Sequence, residues 1–344
     1  MRQPRLKAPS THPVAYYHVI SRVVDRQFHL QPADREQFVR FMRQYERFCG
    51  VRVLTYCFLS NHFHILLEVP LPPSTPISDT ELLERCAAIY SPERLRQIKL
   101  TLDSLSSQPE EWATYRQEFL YRMWDLSQFL KSLKQRFTQW FNGSRPERRK
   151  GTLWEERFKS VLIEGTAEAL STLAAYIDLN PVRAGLVLDP KSYRWSGYGA
   201  TAGGDELAAR GLESMLPPGS KQLSWYRRLL YAGGMQEGTP DGSSVVRRGI
   251  PPAEVKRVWD AGGELSLVDA LGCRIRYFAD GTVLGSRQFA NEIFQLYRSR
   301  FGVKRKEGAR PLLRISTEHL GGLFTLRNLR VRVVETMSVT PSKT

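Results

Sequence analysis

Side chains change face residue by residue along "HFHILLEV" (62–69). At a period of two, Phe63, Ile65, Leu67 and Val69 fall on one face, and His62, His64, Leu66 and Glu68 on the other. This predicts a strand whose first set fills a core and whose histidines lie on an open face. The preceding "VRVLTYCFLS" (51–60) predicts its hairpin partner, with the turn near Ser60-Asn61. "AYYHVISRVV" (15–24) and "TLWEERFKSVLIEG" (152–165) read as further strands. Helical spacing predicts a helix over 32–50, closed by Gly50, and another over 125–143. In the second, Leu126, Leu130, Leu133, Phe137 and Trp140 form an apolar stripe, with Lys131, Lys134 and Arg136 as polar neighbours. "TAEALSTLAAYIDLNPVRAGLV" (166–187) predicts a helix capped by Thr166 that ends or bends at Asn180. The residue before a proline avoids helical geometry.

These elements predict an α+β sheet domain over residues 1–200. "LPPSTPIS" (71–78) opens a helical, acidic insertion covering about 71–124. "GATAGGDELAARG" (199–211) reads as part of a linker over 201–222, followed by a C-terminal accessory region over 223–344. There, "RIRYFADGTVLG" predicts a hairpin turning at Asp280-Gly281, and "SRQFANEIFQLYRSRFG" an amphipathic helix. No internal repeat is present.

Composition narrows the class. The chain has 344 residues, 42% of them hydrophobic, and no apolar run of membrane-spanning length. The N-terminus carries no signal-peptide apolar stretch, so a cytoplasmic location is expected. Cys49, Cys57, Cys86 and Cys273 form no CxxC pair and read as reduced thiols. The net charge of +15 favours a polyanionic partner, nucleic acid rather than membrane. That charge is uneven: residues 71–127 hold six Lys/Arg against nine Asp/Glu, whereas 128–160 hold nine against three.

Two imidazoles at i and i+2 of a strand can ligate one divalent metal, although a turn cap plus a packed histidine gives the same spacing. On the 166–180 helix, Tyr176 and Asn180 share a face at i and i+4. Asparagine offers a carbonyl oxygen to a hard cation, and tyrosine a phenolic nucleophile. A tyrosine beside an apolar stripe can equally be core.

Taken together, "YYHVISR", "LSNHFHILLEVP", "LSQFLKSLKQRFTQWFN", "GTLWEERFKS" and "YIDLNPVRAGLV", in this order, resemble the single-tyrosine (Y1) transposases of the HUH endonuclease superfamily, and most of all the REP-associated tyrosine transposases. The resemblance covers residues 15–200 apart from the insertion. It implies a ferredoxin- or RRM-like antiparallel sheet with helices on one face. It further implies that His62 and His64 bind a Mg or Mn ion, with Asn180 in the place of a third ligand where related transposases use glutamine. Tyr176 becomes the catalytic nucleophile, and the reaction a metal-dependent cleavage and rejoining of single-stranded or hairpin DNA through a 5′-phosphotyrosine. The phosphotyrosine conserves bond energy, so a 3′-OH can rejoin the strand without an external energy source. A monomer or homodimer is expected, with no membrane partner.

Basic and aromatic residues between the motifs suit single-stranded DNA, because rings stack on bases while cations follow phosphates. Arg145, Arg148, Arg149, Lys150, Arg157, Lys131 and Lys134 are the candidate DNA-binding residues. Trp124, Trp140, Phe141 and Trp154 are expected near the same groove or in the core. The run Arg298, Arg300, Lys304, Arg305, Lys306, Arg310 and Arg314 reads either as accessory DNA binding or as a solvated basic surface. Three rival readings are a non-catalytic nucleic-acid-binding regulator on the same scaffold, a rolling-circle or conjugative nicking enzyme, and a hydrolase that uses the histidines without Tyr176. The single tyrosine and the lack of a helicase-like extension count against the second.

Overall fold

The computed structural model describes residues 6–24, 30–145, 149–187, 190–216, 223, 225–227, 229–230, 283–301, 305–311 and 323–326. In chain order the elements are β1 (Val14–Arg22), α1 (Pro32–Cys49), β2 (Arg52–Phe58), β3 (His62–Pro70), α2 (Asp79–Cys86), α3 (Pro92–Ser104), α4 (Pro109–Leu120) and α5 (Leu126–Gly143). They continue with β4 (Lys159–Ile163), α6 (Ala167–Asp178), α7 (Asn180–Arg183), α8 (Gly197–Ala202), α9 (Glu206–Glu213), β5 (Val283–Gly285), α10 (Arg287–Leu296), β6 (Arg310–Pro311) and β7 (Phe324–Thr325). Among the described residues the strands form one mixed sheet in the order β2-β3-β1-β4-β5-β7-β6, antiparallel except for the β4–β5 pair. The protein is therefore α+β, as its patterning predicts.

The alternation along β3 sorts its side chains as expected. Phe63, Ile65, Leu67 and Val69 join the core beneath α1 and α5, where Phe38 meets Phe58, Phe63 and Phe137 at ring separations of 4.5–5.0 Å. The opposite face is not open. Leu66, Leu54, Cys57 and Val161 on that face bury against Leu170, Leu173, Ala174 and Ile177 of α6. Helices thus cover both faces, because these strands are apolar on both. In β2 a register shift between Val53 and Thr55 places Leu54 and Thr55 in succession toward α6.

The helix ends follow their local signals. Gly50 closes α1 at φ 64°, a left-handed conformation that suits glycine. Thr166 caps α6 by accepting from Ala169 N–H at 3.3 Å. The helix stops at Asp178, and Asn180-Pro181 opens the short α7. The insertion forms α2–α4 and packs on the end of α1, where Arg122 lies 4.6 Å from the Phe48 ring centre.

Two expectations are corrected. The stretch read as a linker builds α8 and α9 instead, with Asp205 capping α9. Ala208 and Leu212 are buried, and Gly211 lies so close to β2 that a Cβ would meet Val53 O at 2.5 Å. The described parts of the C-terminal region are not separate from the core either. β5 pairs with β4, and Glu164 at the end of β4 accepts from Ser286 N–H and Oγ–H at the start of α10. The amphipathic helix expected there is α10, whereas the Asp280-Gly281 turn and Cys273 lie outside the described residues. The other three cysteines are buried free thiols. No helix among the described residues is long and apolar enough to cross a membrane.

Candidate active site at one end of the sheet

β3 begins at His62, and the β1–β3 register sets Arg22 opposite His62, Ile20 opposite His64 and His18 opposite Leu66. Side chains directly opposite one another share a face, so β1 brings a third imidazole, His18, to the two expected ones. His18 Nε2 lies 3.0 Å from His64 Nδ1, and the two rings stack with centres 5.2 Å apart. His62 Nδ1 lies 2.6 Å from Asn61 Oδ1, and its ring centre is 5.1 Å from that of His64. His64 is only 4% exposed. Burial, and then the nearby His62, His18, Arg22 and Arg183, hold its imidazolium well below the usual histidine range. It is therefore a neutral ring at neutral pH, the form that ligates metals.

α6 lays Tyr176 across this face. Its ring meets His64 edge-on at 5.9 Å and His18 at 6.2 Å, and it is 8% exposed. Tyr176 is packed against the core and is also set beside the histidine pair. Arg183 from α7 donates to Tyr176 O at 3.3 Å and stands 5.0 Å from the phenol ring centre. Asn180 serves first as a cap: its Nδ2 donates to the carbonyls of Tyr176 and Ile177 at 2.9 and 3.2 Å. That leaves Oδ1 as the atom suited to a cation. Among the described residues no group of three or more His, Cys, Asp or Glu side chains is arranged to hold a metal. A cation here would draw on two neutral imidazoles and on amide or phosphate oxygens, a donor set that fits a divalent ion and leaves most of its charge uncompensated.

Two residues along, Asp178 fixes the end of α6. Its carboxylate accepts from Thr55 Oγ1 at 3.0 and 3.1 Å, from Tyr198 N–H at 3.0 Å and from Tyr226 OH at 2.6 Å. Burial pushes its carboxyl up to about 6, partly offset by these donors.

The expected DNA-binding residues divide into two sets. Arg145 is tied to the buried Asp34 at 2.6 Å, and Arg149 donates to Asn142 and to Thr152 O. Lys134 donates to Ser21 Oγ at 2.7 Å and Glu156 O at 3.0 Å. Arg145 thus ties the loop to α1, Arg149 ties the loop to α5, and Lys134 ties α5 to β1, so each of these candidate DNA-binding cations also has a partner within the protein. Lys131, Lys150 and Arg157 are exposed, and Arg148 lies outside the described residues. Trp154 is core, packed against Phe63 and Phe38, and Trp140 packs on Phe41 and Phe137. Trp124 lies by Gly50 and Arg85 at the far end of α1, away from the histidines. In the C-terminal run, Arg305 donates to Gly308 O and Leu326 O, Arg298 and Arg300 lie over Phe294 and Tyr297, and Lys304 and Arg314 lie outside the described residues.

Sequence reasoning missed Arg22, Lys159 and Arg183, which join Arg157 around the histidine end of the sheet. Lys159 stands opposite Ile20, and Glu155 N–H donates to Arg22 O at 3.0 Å. His18, in "YYHVISR", was signalled by its parity with the other face residues of β1.

The site thus pairs an HxH strand with a helix that carries a tyrosine across it. The family model described as IS200-like transposase matches residues 11–90, which span β1 through α2 and include His18, His62 and His64. No curated protein matches the chain. Among solved structures, a REP-associated tyrosine transposase bound to a REP hairpin is 15% identical, with a TM-score of 0.38, covering 64% of this chain and 93% of that one.

Proposed function

We propose that this protein is a DNA transposase that cleaves and rejoins single-stranded or hairpin DNA, with Tyr176 as the nucleophile. The observation that carries the reading is the placement of the Tyr176 ring edge-on to His64, two residues along β3 from His62. Tyr176 Oη attacks the scissile phosphorus in line with the 3′ oxygen. The P–O3′ bond breaks, the phenol proton is lost, and the departing oxygen takes up a proton as a 3′-OH. The 5′ phosphate remains on Tyr176 until another 3′-OH reverses the step. When bound by His62, His64 and Asn180 Oδ1, a Mg or Mn ion supplies Lewis-acid polarisation of a non-bridging phosphate oxygen. Arg183, 5.0 Å from the phenol ring centre, offsets the charge that grows on Oη, and Arg22, Arg157 and Lys159 hold the strand.

The test incubates the protein with labelled hairpin oligonucleotides from its genomic flanks and Mg²⁺ or Mn²⁺, and looks for an adduct that survives denaturant. Wild type is expected to form it, and Tyr176→Phe to lose it while still binding DNA. An undiminished adduct in Tyr176→Phe would reject the nucleophile. Tight binding with no adduct across several hairpins would favour a non-catalytic regulator.

A further inference from the structure

The two histidines of β3 each have Nδ1 engaged, and the partners decide which nitrogen carries the proton. Asn61 Oδ1 lies 2.6 Å from His62 Nδ1. An amide oxygen only accepts, so Nδ1 donates and the lone pair of His62 is on Nε2. For His64 the partner is another imidazole, with His18 Nε2 3.0 Å from His64 Nδ1. If His18 were the donor, neutral His64 would carry its proton on Nε2, and its only lone pair would be spent inside the pair. If His64 is the donor, its lone pair is on Nε2, as in His62.

We propose that His18 is a positioning residue, the acceptor that holds His64 as its Nδ1–H tautomer, so that β1 and Asn61 together set both β3 imidazoles to offer Nε2 to one cation. The inference rests on the metal-site reading above and adds what presets the site. His18 is fully buried and is the diagonal cross-strand neighbour of His64, so strand pairing itself fixes the contact. Ligating histidines commonly donate their second N–H to a carboxylate or carbonyl. A neutral imidazole in that place adds no negative charge, which keeps the cation's charge available for phosphate.

The first measurement is long-range ¹H–¹⁵N NMR of the metal-free protein. His64 is expected to show a protonated Nδ1 and an unprotonated Nε2; the opposite tautomer overturns the proposal whether or not metal binds. The second titrates Mn²⁺, followed by EPR. His18→Leu should weaken binding about 10–100-fold. His18→Gln, whose Oε1 can accept where Nε2 did, should recover most of that loss. Equal losses in the two variants, or no loss in either, would overturn it. Wild type with the expected tautomer but no Mn²⁺ binding would overturn the metal-site reading alone, and the spectrum keeps that failure distinct.

Discussion

Replacing Asp178 by asparagine removes one titrating group from the C-terminal end of α6 and keeps its shape. The folded carboxyl titrates at about 6, against 3.8 for the ordinary group, chiefly because it is buried. The folded protein therefore holds this proton more tightly than the unfolded chain does. The stabilisation from protonation is complete below 3.8 and is lost as pH rises through about 6. The gap corresponds to about 3 kcal/mol in full, of which about 1.3 kcal/mol falls between pH 7 and pH 5. Asparagine does not titrate, and every other group is common to both proteins. Urea unfolding of wild type and Asp178→Asn at pH 7 and pH 5 should thus show the difference moving about 1.3 kcal/mol toward wild type at the lower pH. With a slope of about 2–3 kcal/mol per molar, that is about half a molar in midpoint. Midpoints that move in parallel would refute the raised carboxyl and, with it, the account of the Thr55–Asp178–Tyr226 cluster as a desolvated anion.

Two further predictions concern packing and DNA. Gly211→Val should lower the thermal midpoint by the equivalent of about 1–3 kcal/mol, because a Cβ there meets the carbonyl oxygens of Val53 and Leu54 at 2.5 and 2.8 Å; an unchanged midpoint would mean that α9 is not seated on β2. Arg157→Ala and Lys159→Ala should each weaken DNA binding equally across sequences and flatten the salt slope by about 0.7. A loss confined to one sequence would show base reading instead.

Elements with a strong local period were legible in the sequence. The alternation of β3 and the stripe of α5 each need only a few consecutive residues, and the ends of α1 and α6 are marked by Gly50 and by Asn180-Pro181. What escaped depends on register. His18 reaches His64 only because β1 and β3 pair with Ile20 opposite His64. Asp178 meets Thr55 only because β2 shifts register at that point. Arg145 looked like a DNA ligand from its basic loop, yet Asp34, 111 positions away, claims it. The glycines around residue 204 concealed α8 and α9, whose buried faces are too short to show a period.

The pairing of β4 with β5 has a consequence for synthesis. β4 leaves the ribosome roughly 120 residues before β5, so at about 5–20 residues per second its outer edge waits several seconds for its partner. During that interval β2, β3, β1 and β4 can already pair, while the backbone groups of Leu162 and Ile163 face outward as a template for any stray strand. Lys159 at the start of β4, and Arg157 just before it, place charge beside that exposed edge, so the cations proposed to follow a DNA backbone also guard the nascent sheet against self-association.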